Sequence, residues 1–132
     1  MNTGIIPVSW SGPLHSILRI VTGLLFLAHG TTKWLGFPVS QYTPAAGAMD
    51  TMTMVTGTLE LVGGVLIVLG LFTRTTAFIL SGYMAVAYFM AHAPQNFHPI
   101  NNYGELAIMF CFVFLYFAAA GGGPWSIDAK RP

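Results

Sequence analysis

Charge is scarce in this chain and cysteine is nearly absent. Nine of the 132 residues carry formal charge, five Lys or Arg against four Asp or Glu, for a net of +1 with neutral His. So few cations leave no basic surface for nucleic acid, and so few anions leave no acidic tail for a cationic partner. The single Cys111 excludes an internal disulfide, a CxxC redox pair and an all-thiolate metal or iron–sulfur site within one protomer. It lies in an apolar run, and intermolecular pairing is the alternative reading. Absent too are internal repeats, low-complexity tracts and the alternating pattern of a half-buried strand. What fills the chain instead is apolar: 55% of residues are hydrophobic and mean hydropathy is +0.68, where a typical soluble domain is about 25% charged. A single-domain integral membrane protein, with the lipid bilayer as its solvent, is expected.

Four apolar segments each approach the roughly 20 residues that an α-helix needs to cross about 30 Å of hydrocarbon. The first covers about 14–32, opened by Ser11, Gly12 and Pro13. The second covers about 51–71, with Asp50 or Thr51 as N-cap. The third covers about 75–93 and is stopped by Pro94, which cannot continue the hydrogen-bond ladder. The fourth covers about 103–120 and ends at Gly121, Gly122, Gly123 and Pro124. These runs are continuous and too long for barrel strands, so the fold class expected is all-α, an integral membrane four-helix bundle. A cleaved signal peptide competes for the first run, but nothing basic precedes it and Arg19 interrupts it, so it is expected to be retained. The 33–50 connection, with Pro38, Tyr42 and Pro44, is expected on the membrane surface.

Orientation follows from the basic residues. With an even number of spans, Arg19, Arg74, Lys130 and Arg131 fall on one side and only Lys33 on the other. The positive-inside rule then puts both termini in the cytoplasm and the 33–50 and 94–102 connections outside. In a Gram-negative host that outer face is periplasmic.

This topology gathers polar residues on the outer face. His29 lies one turn from the outer end of the first helix, Lys33 one turn further along the same stripe, His92 closes the third helix, His98 lies in the outer loop and Glu105 opens the fourth helix. Glu60 interrupts 56–71, TGTLELVGGVLIVLGL, a run with no other charge, and lies roughly 13 Å below the outer face at about 1.5 Å per residue. A carboxylate at that depth is a functional-site hypothesis unless it is paired. Gly57 and Gly64 flank it on one stripe and let a neighbouring helix approach. A polar funnel narrowing toward Glu60 is the expected geometry.

Each residue also has a structural reading. Glu60 pairs with Arg19, placed roughly 6 Å deeper at about 1.5 Å per residue, or it performs chemistry; both readings stand open. Lys33 is expected to snorkel into the headgroups, with His29 as an interfacial neighbour. His92 serves as a C-terminal cap and Glu105 as a favourable charge in the first turn of its helix. Trp34, Tyr42, Tyr103 and Trp125 suit the aromatic belts of membrane proteins.

The stretches LRIVTGLLFLAHGTTKWLGF, LELVGGVLIVLGLFTR and YGELA together resemble the DoxX family of small four-helix bacterial membrane proteins. That pattern is an arginine early in helix one with HG and a lysine at its end, E-x-x-GG followed by GL-x-TR in helix two, and G-E opening helix four. The resemblance covers about Leu14 to Asp128 and includes the closing Gly123, Pro124, Trp125, Ser126, Ile127 and Asp128. It departs at Tyr103, where the family commonly has glycine and where a bulkier residue is expected to narrow the outer mouth. The family residues carried over are Arg19, His29, Lys33, Glu60, Arg74 and Glu105, with Arg74 fixing orientation. The resemblance implies a multi-pass protein of the bacterial inner membrane. Members resemble the membrane subunit of thiosulfate:quinone oxidoreductase, and others are linked to thiol and oxidative-stress defence or to metal handling, so fold alone does not choose among activities.

Three functions follow in order. The first is a redox subunit that binds a quinone in the outer half of the bundle, with His29 and His92 donating to the carbonyls, Arg19 and Lys33 contributing to cofactor binding, Glu60 and Glu105 relaying protons, and Phe26, Tyr88 and Phe112 lining the slot. No haem, flavin or iron–sulfur motif is present in the sequence, so electrons or substrate are expected from a partner protein. The second is a non-catalytic scaffold of a membrane complex. The third is a metal or small-molecule binding module using His29, His92, His98, Glu60 and Glu105, although no HxxxH or HxxE spacing pairs two of them on one helical face. Oligomeric state is open.

Overall fold

A computed structural model describes residues 3–45 and 48–131. Among the described residues all regular structure is helical: a 3-10 turn at Val8–Trp10, α1 (Ser11–Trp34), α2 (Thr51–Leu69), α3 (Thr73–Ala87), a π-helical turn at Tyr88–His92, α4 (Pro99–Asn102), α5 (Glu105–Ala120) and α6 (Ile127–Lys130). Val8–Trp34 and Thr51–Leu69 are long and apolar enough to cross a membrane. The chain divides into two compact units, Met1–Phe72 with Gly122–Pro132, and Thr73–Gly121.

In the first unit the ends of α2 follow from local chemistry. Asp50 caps its N-terminus by accepting from the Thr53 N–H at 2.8 Å. At the other end Gly70 adopts a left-handed conformation with φ 69°, and the bonds from Gly70 N to Ile67 O (3.1 Å) and Leu71 N to Leu66 O (3.0 Å) close a Schellman motif. The second helix therefore stops at Leu69 rather than Leu71.

Helices α1 and α2 pack antiparallel, backbone against backbone. A Cβ at Gly30 would lie 2.6 Å from Leu61 N, and one at Gly64 would lie 2.8 Å from Leu27 Cα, so neither position has room for a methyl group. Such small-residue contacts allow close association without a hydrophobic driving force. The outward faces of both helices carry exposed Leu24, Leu25, Val62 and Val65, as expected of surfaces solvated by lipid. The C-terminal residues are tied to these helices. Trp125 N donates to Ser16 Oγ at 3.0 Å, Phe72 N donates to Asp128 Oδ1 at 2.9 Å, and Ser126, only 2% exposed, caps α6 by accepting from Ala129 N at 3.1 Å.

The second unit packs α3 against α5 around buried Ala77, Leu80, Met84, Phe110, Phe114 and Phe117. The rings of Phe110 and Phe114 stack at 5.7 Å, and Ser81 Oγ donates to Cys111 O at 2.7 Å. The third helix continues past Ala87 as a π turn, with Ala93 N reaching back to Tyr88 O at 2.9 Å. A π turn widens the helix by one residue and commonly marks a functional position. Helix α5 begins at Glu105 rather than 103, because Tyr103 sits in the left-handed region with φ 60°. A glycine would adopt that backbone without strain. The Tyr103 side chain is exposed.

Candidate functional site

Lys33 and Glu60 form a buried ion pair in the first unit, Nζ to Oε1 at 2.8 Å, with side chains 15% and 5% exposed. Lys33 Nζ also donates to Thr56 Oγ1 at 3.2 Å, and Thr56 stands one turn before Glu60 on α2. Instead of snorkelling into the headgroups, Lys33 turns inward. Gly57 explains why: a Cβ there would lie 3.3 Å from Lys33 Cβ and 3.0 Å from the Trp34 ring, so the missing side chain leaves room for the lysine stem to cross to α2. Lys33 also lies in the last turn of α1, where the helix dipole favours a cation.

His29 is half-buried beside this pair, within electrostatic reach of both Glu60 and Lys33. Tyr42 packs against it, ring centroids 5.1 Å apart and tilted by 52°. The loop carrying Tyr42 is fastened to α1 through buried Thr32, whose hydroxyl donates to Pro38 O at 2.6 Å and lies 3.1 Å from Ser40 Oγ. The structure thus joins His29, Lys33 and Glu60, and adds Thr56 and Tyr42. Thr56 was legible as the i−4 neighbour of Glu60; Tyr42, read as a belt residue, had no such signal.

Arg19 does not pair with Glu60. Its guanidinium, 1% exposed, donates from Nε to Ile67 O at 2.9 Å, from Nη1 to Gly122 O, and from Nη2 to Trp125 O at 3.1 Å and Val68 O at 3.4 Å. The antiparallel register sets Gly30 against the Glu60–Leu61 step, and Arg19 lies roughly 16 Å further along α1 at about 1.5 Å per residue. There it meets the carbonyls of Ile67 and Val68 at the negative end of α2.

The remaining expected residues lie in the second unit. His92 occupies the π turn, and its Nδ1 is 2.9 Å from Asn102 O. A carbonyl only accepts, so Nδ1 carries the hydrogen, and in the neutral ring Nε2 is the acceptor. Asn102 is fully buried. Its Oδ1 accepts from Gly104 N at 2.8 Å, and its Nδ2 donates to Asn96 O at 3.0 Å and to the Tyr88 hydroxyl at 3.1 Å. His98 is the N-cap residue of α4, without a side-chain cap bond. Glu105 opens α5. Arg74 donates from Nε to Ala118 O at 3.0 Å. Of the aromatic residues assigned to a ligand slot, Phe26 is buried core, Phe112 is exposed, and Tyr88 belongs to the Asn102 network. Among the described residues no group of three His, Cys, Asp or Glu side chains stands together as metal ligands.

Apolar outward faces, small-residue helix contacts and a buried ion pair define an all-helical membrane protein. A family model for DoxX matches residues 14–93, and the chain belongs to the DoxX family. It is 46% identical over 118 residues to an uncharacterised protein of Haemophilus influenzae, covering 87% of this chain and 88% of that one. It is 31% identical over 121 residues to the inner membrane protein YqjF of Escherichia coli, covering 85% and 87%. Over 59 residues it is 39% identical to CatD of Bacillus subtilis, provisionally named an oxidoreductase, covering 44% of each chain. No solved structure matches it. The family and the inner-membrane relative make this a bacterial membrane protein.

Proposed function

We propose that this protein is the membrane subunit of a quinone-linked oxidoreductase system, crossing the bacterial inner membrane four times with both termini in the cytoplasm. The third and fourth spans are the continuous Thr73–His92 helix, formed by α3 and its π turn, and α5. At 16 residues α5 is short, a mismatch that local bilayer thinning accommodates.

The observation that carries this reading is the Lys33–Glu60 pair beside His29. Structural stability alone gives little reason to keep it, because a buried ion pair is often matched or exceeded by apolar residues of similar volume. A quinone supplies a two-electron, two-proton carrier confined to the bilayer. The chain supplies suitable groups: Lys33 and Thr56 position the Glu60 carboxylate, Glu60 exchanges protons at the ligand oxygen, and His29 connects the pair to the Tyr42 loop. His92 and Glu105 are proton-handling groups of the second unit. The Arg19 donors are engaged by backbone carbonyls, so Arg19 serves the fold. The oxidoreductase name of CatD supports the reaction class. Electrons come from a partner protein.

The test is purification in mild detergent, followed by extraction and identification of bound quinone, elemental analysis and titration with added quinone. Bound or titratable quinone that is lost in Glu60→Gln is expected. A sample that holds neither quinone nor metal and does not respond to added quinone overturns the proposal. A scaffold role is the second reading, favoured by the Arg19 contacts that hold α1, α2 and the C-terminal segment together. It expects Arg19→Met to disperse a partner complex that Glu60→Gln leaves intact.

A further inference from the structure

Asn102 fixes the hydrogen-bonding character of two side chains that the proposed mechanism leaves partly unused. Its amide cannot be flipped: Oδ1 faces the Gly104 N–H, which only donates, and Nδ2 faces Asn96 O, which only accepts. Nδ2 is therefore also the donor to Tyr88, so the Tyr88 oxygen accepts and its hydroxyl hydrogen remains available. The main-chain carbonyl of the same residue takes the Nδ1 hydrogen of His92, which in the neutral imidazole leaves Nε2 as an acceptor. Among the described residues neither the Tyr88 hydroxyl hydrogen nor His92 Nε2 has a protein partner. The two rings stack with centroids 6.3 Å apart and planes at 27°, and both side chains are half-buried. The π turn carries both residues, and Gly104 leaves room for the Tyr88 ring, because a Cβ at 104 would lie 2.5 Å from Tyr88 Cε2.

We infer that Tyr88 and His92 form a hydroxyl-recognition site that selects the reduced, hydroquinone form of the ligand. A hydroxyl group satisfies both partners at once: its oxygen accepts from Tyr88 and its hydrogen goes to His92 Nε2. A quinone carbonyl satisfies only Tyr88 and leaves the imidazole lone pair facing another acceptor. A buried polar pair left half-matched discriminates more strongly than an added contact does. Asn102 acts as the positioning residue, since it fixes the tautomer of one partner and the donor direction of the other. The inference takes its ligand class from the quinone reading but rests on residues of the second unit alone.

The test measures binding of a short-chain benzoquinol, kept reduced under anaerobic conditions, and of the matching benzoquinone to the intact detergent-solubilised protein by calorimetry. The quinol is expected to bind about tenfold more tightly, the scale of one net hydrogen bond. Tyr88→Phe and His92→Phe are each expected to remove most of that preference. Equal affinity for both forms overturns the inference, as does a preference that survives both substitutions. If Glu60→Gln abolishes binding while Tyr88→Phe and His92→Phe keep the wild-type preference, this site falls and the quinone reading stands. If binding survives Glu60→Gln but loses its preference in the other two, the site in the first unit falls instead. No binding of either form overturns both. Nitrogen-15 NMR of histidine-labelled protein provides a check that needs no variant: His92 is expected as the Nδ1–H tautomer, with Nε2 shifting on quinol addition, and an Nε2–H tautomer contradicts the assignment.

Discussion

The first unit buries two side-chain cations and treats them differently. Arg19 is enclosed by backbone carbonyls from α2 and the C-terminal segment, with Nε and both Nη nitrogens engaged. Lys33 meets the carboxylate of Glu60, with a hydroxyl, an imidazole and a surface loop close by. A guanidinium surrounded by neutral acceptors has little left to exchange, because none of those acceptors titrates and the arginine stays protonated. An ammonium–carboxylate pair next to histidine has several protons to redistribute. The first arrangement suits a staple; the second suits a site. The staple ties α1, the end of α2 and the C-terminal segment together.

The largest expected effect tests that division. Arg19→Met removes several charge-assisted bonds and strands buried carbonyls, each bond to a charged group being worth about 1.5–3 kcal/mol. A loss on the order of 5 kcal/mol is expected, read as a large drop in thermal midpoint in detergent or as failure to accumulate. Glu60→Gln leaves the Lys33 ammonium facing a neutral amide and is expected to cost about 3 kcal/mol, within the range for breaking a buried pair by removing one partner. The double change Lys33→Met with Glu60→Leu is expected to recover most of that loss, and a double-mutant cycle measures the coupling. If Arg19→Met is instead mild while the double variant fails to fold, the roles of staple and site are reversed.

Helix existence was legible in this sequence, because four apolar runs bounded by Asp50, Pro94 and the 121–124 turn can hardly do anything else in a bilayer. Helix contact was legible in part: Gly57 and Gly64 announced a close neighbour, and the structure puts α1 there. Which cation would face Glu60 was not. That depends on helix register, and the antiparallel packing shifts Arg19 well beyond reach while bringing Lys33 across the space left by Gly57. The π turn was also hidden, since the apolar pattern of 75–93 reads as an ordinary helix. Asn102 gave no signal, because a polar residue in an outer connection looks solvated until its partners are known.

Smaller effects sharpen the comparison from either side. Gly30→Ala forces a methyl group against the α2 backbone near Leu61 and is expected to cost about 2 kcal/mol by overpacking. Because the Lys33–Glu60 pair spans that same contact, weaker quinone binding should accompany the lower melting temperature. The mildest change is Asp50→Asn. The bond from the Thr53 backbone N–H holds the Asp50 carboxyl below its usual range, so its stabilising contribution is present above the ordinary carboxylate pKa and fades as pH falls through the lowered one. Asn also caps helices well. The variant is expected to differ slightly from wild type at neutral pH and to converge with it in acid, as read from melting curves across pH.

The Lys33→Met with Glu60→Leu double variant tests the division of labour most directly, because it removes the charges while retaining the volume. Quinone titration of that purified variant, alongside its melting curve, is the decisive measurement. A folded protein with a midpoint near wild type and no quinone binding is expected. Wild-type quinone binding by the same folded variant would contradict the assignment of Lys33 and Glu60 to function.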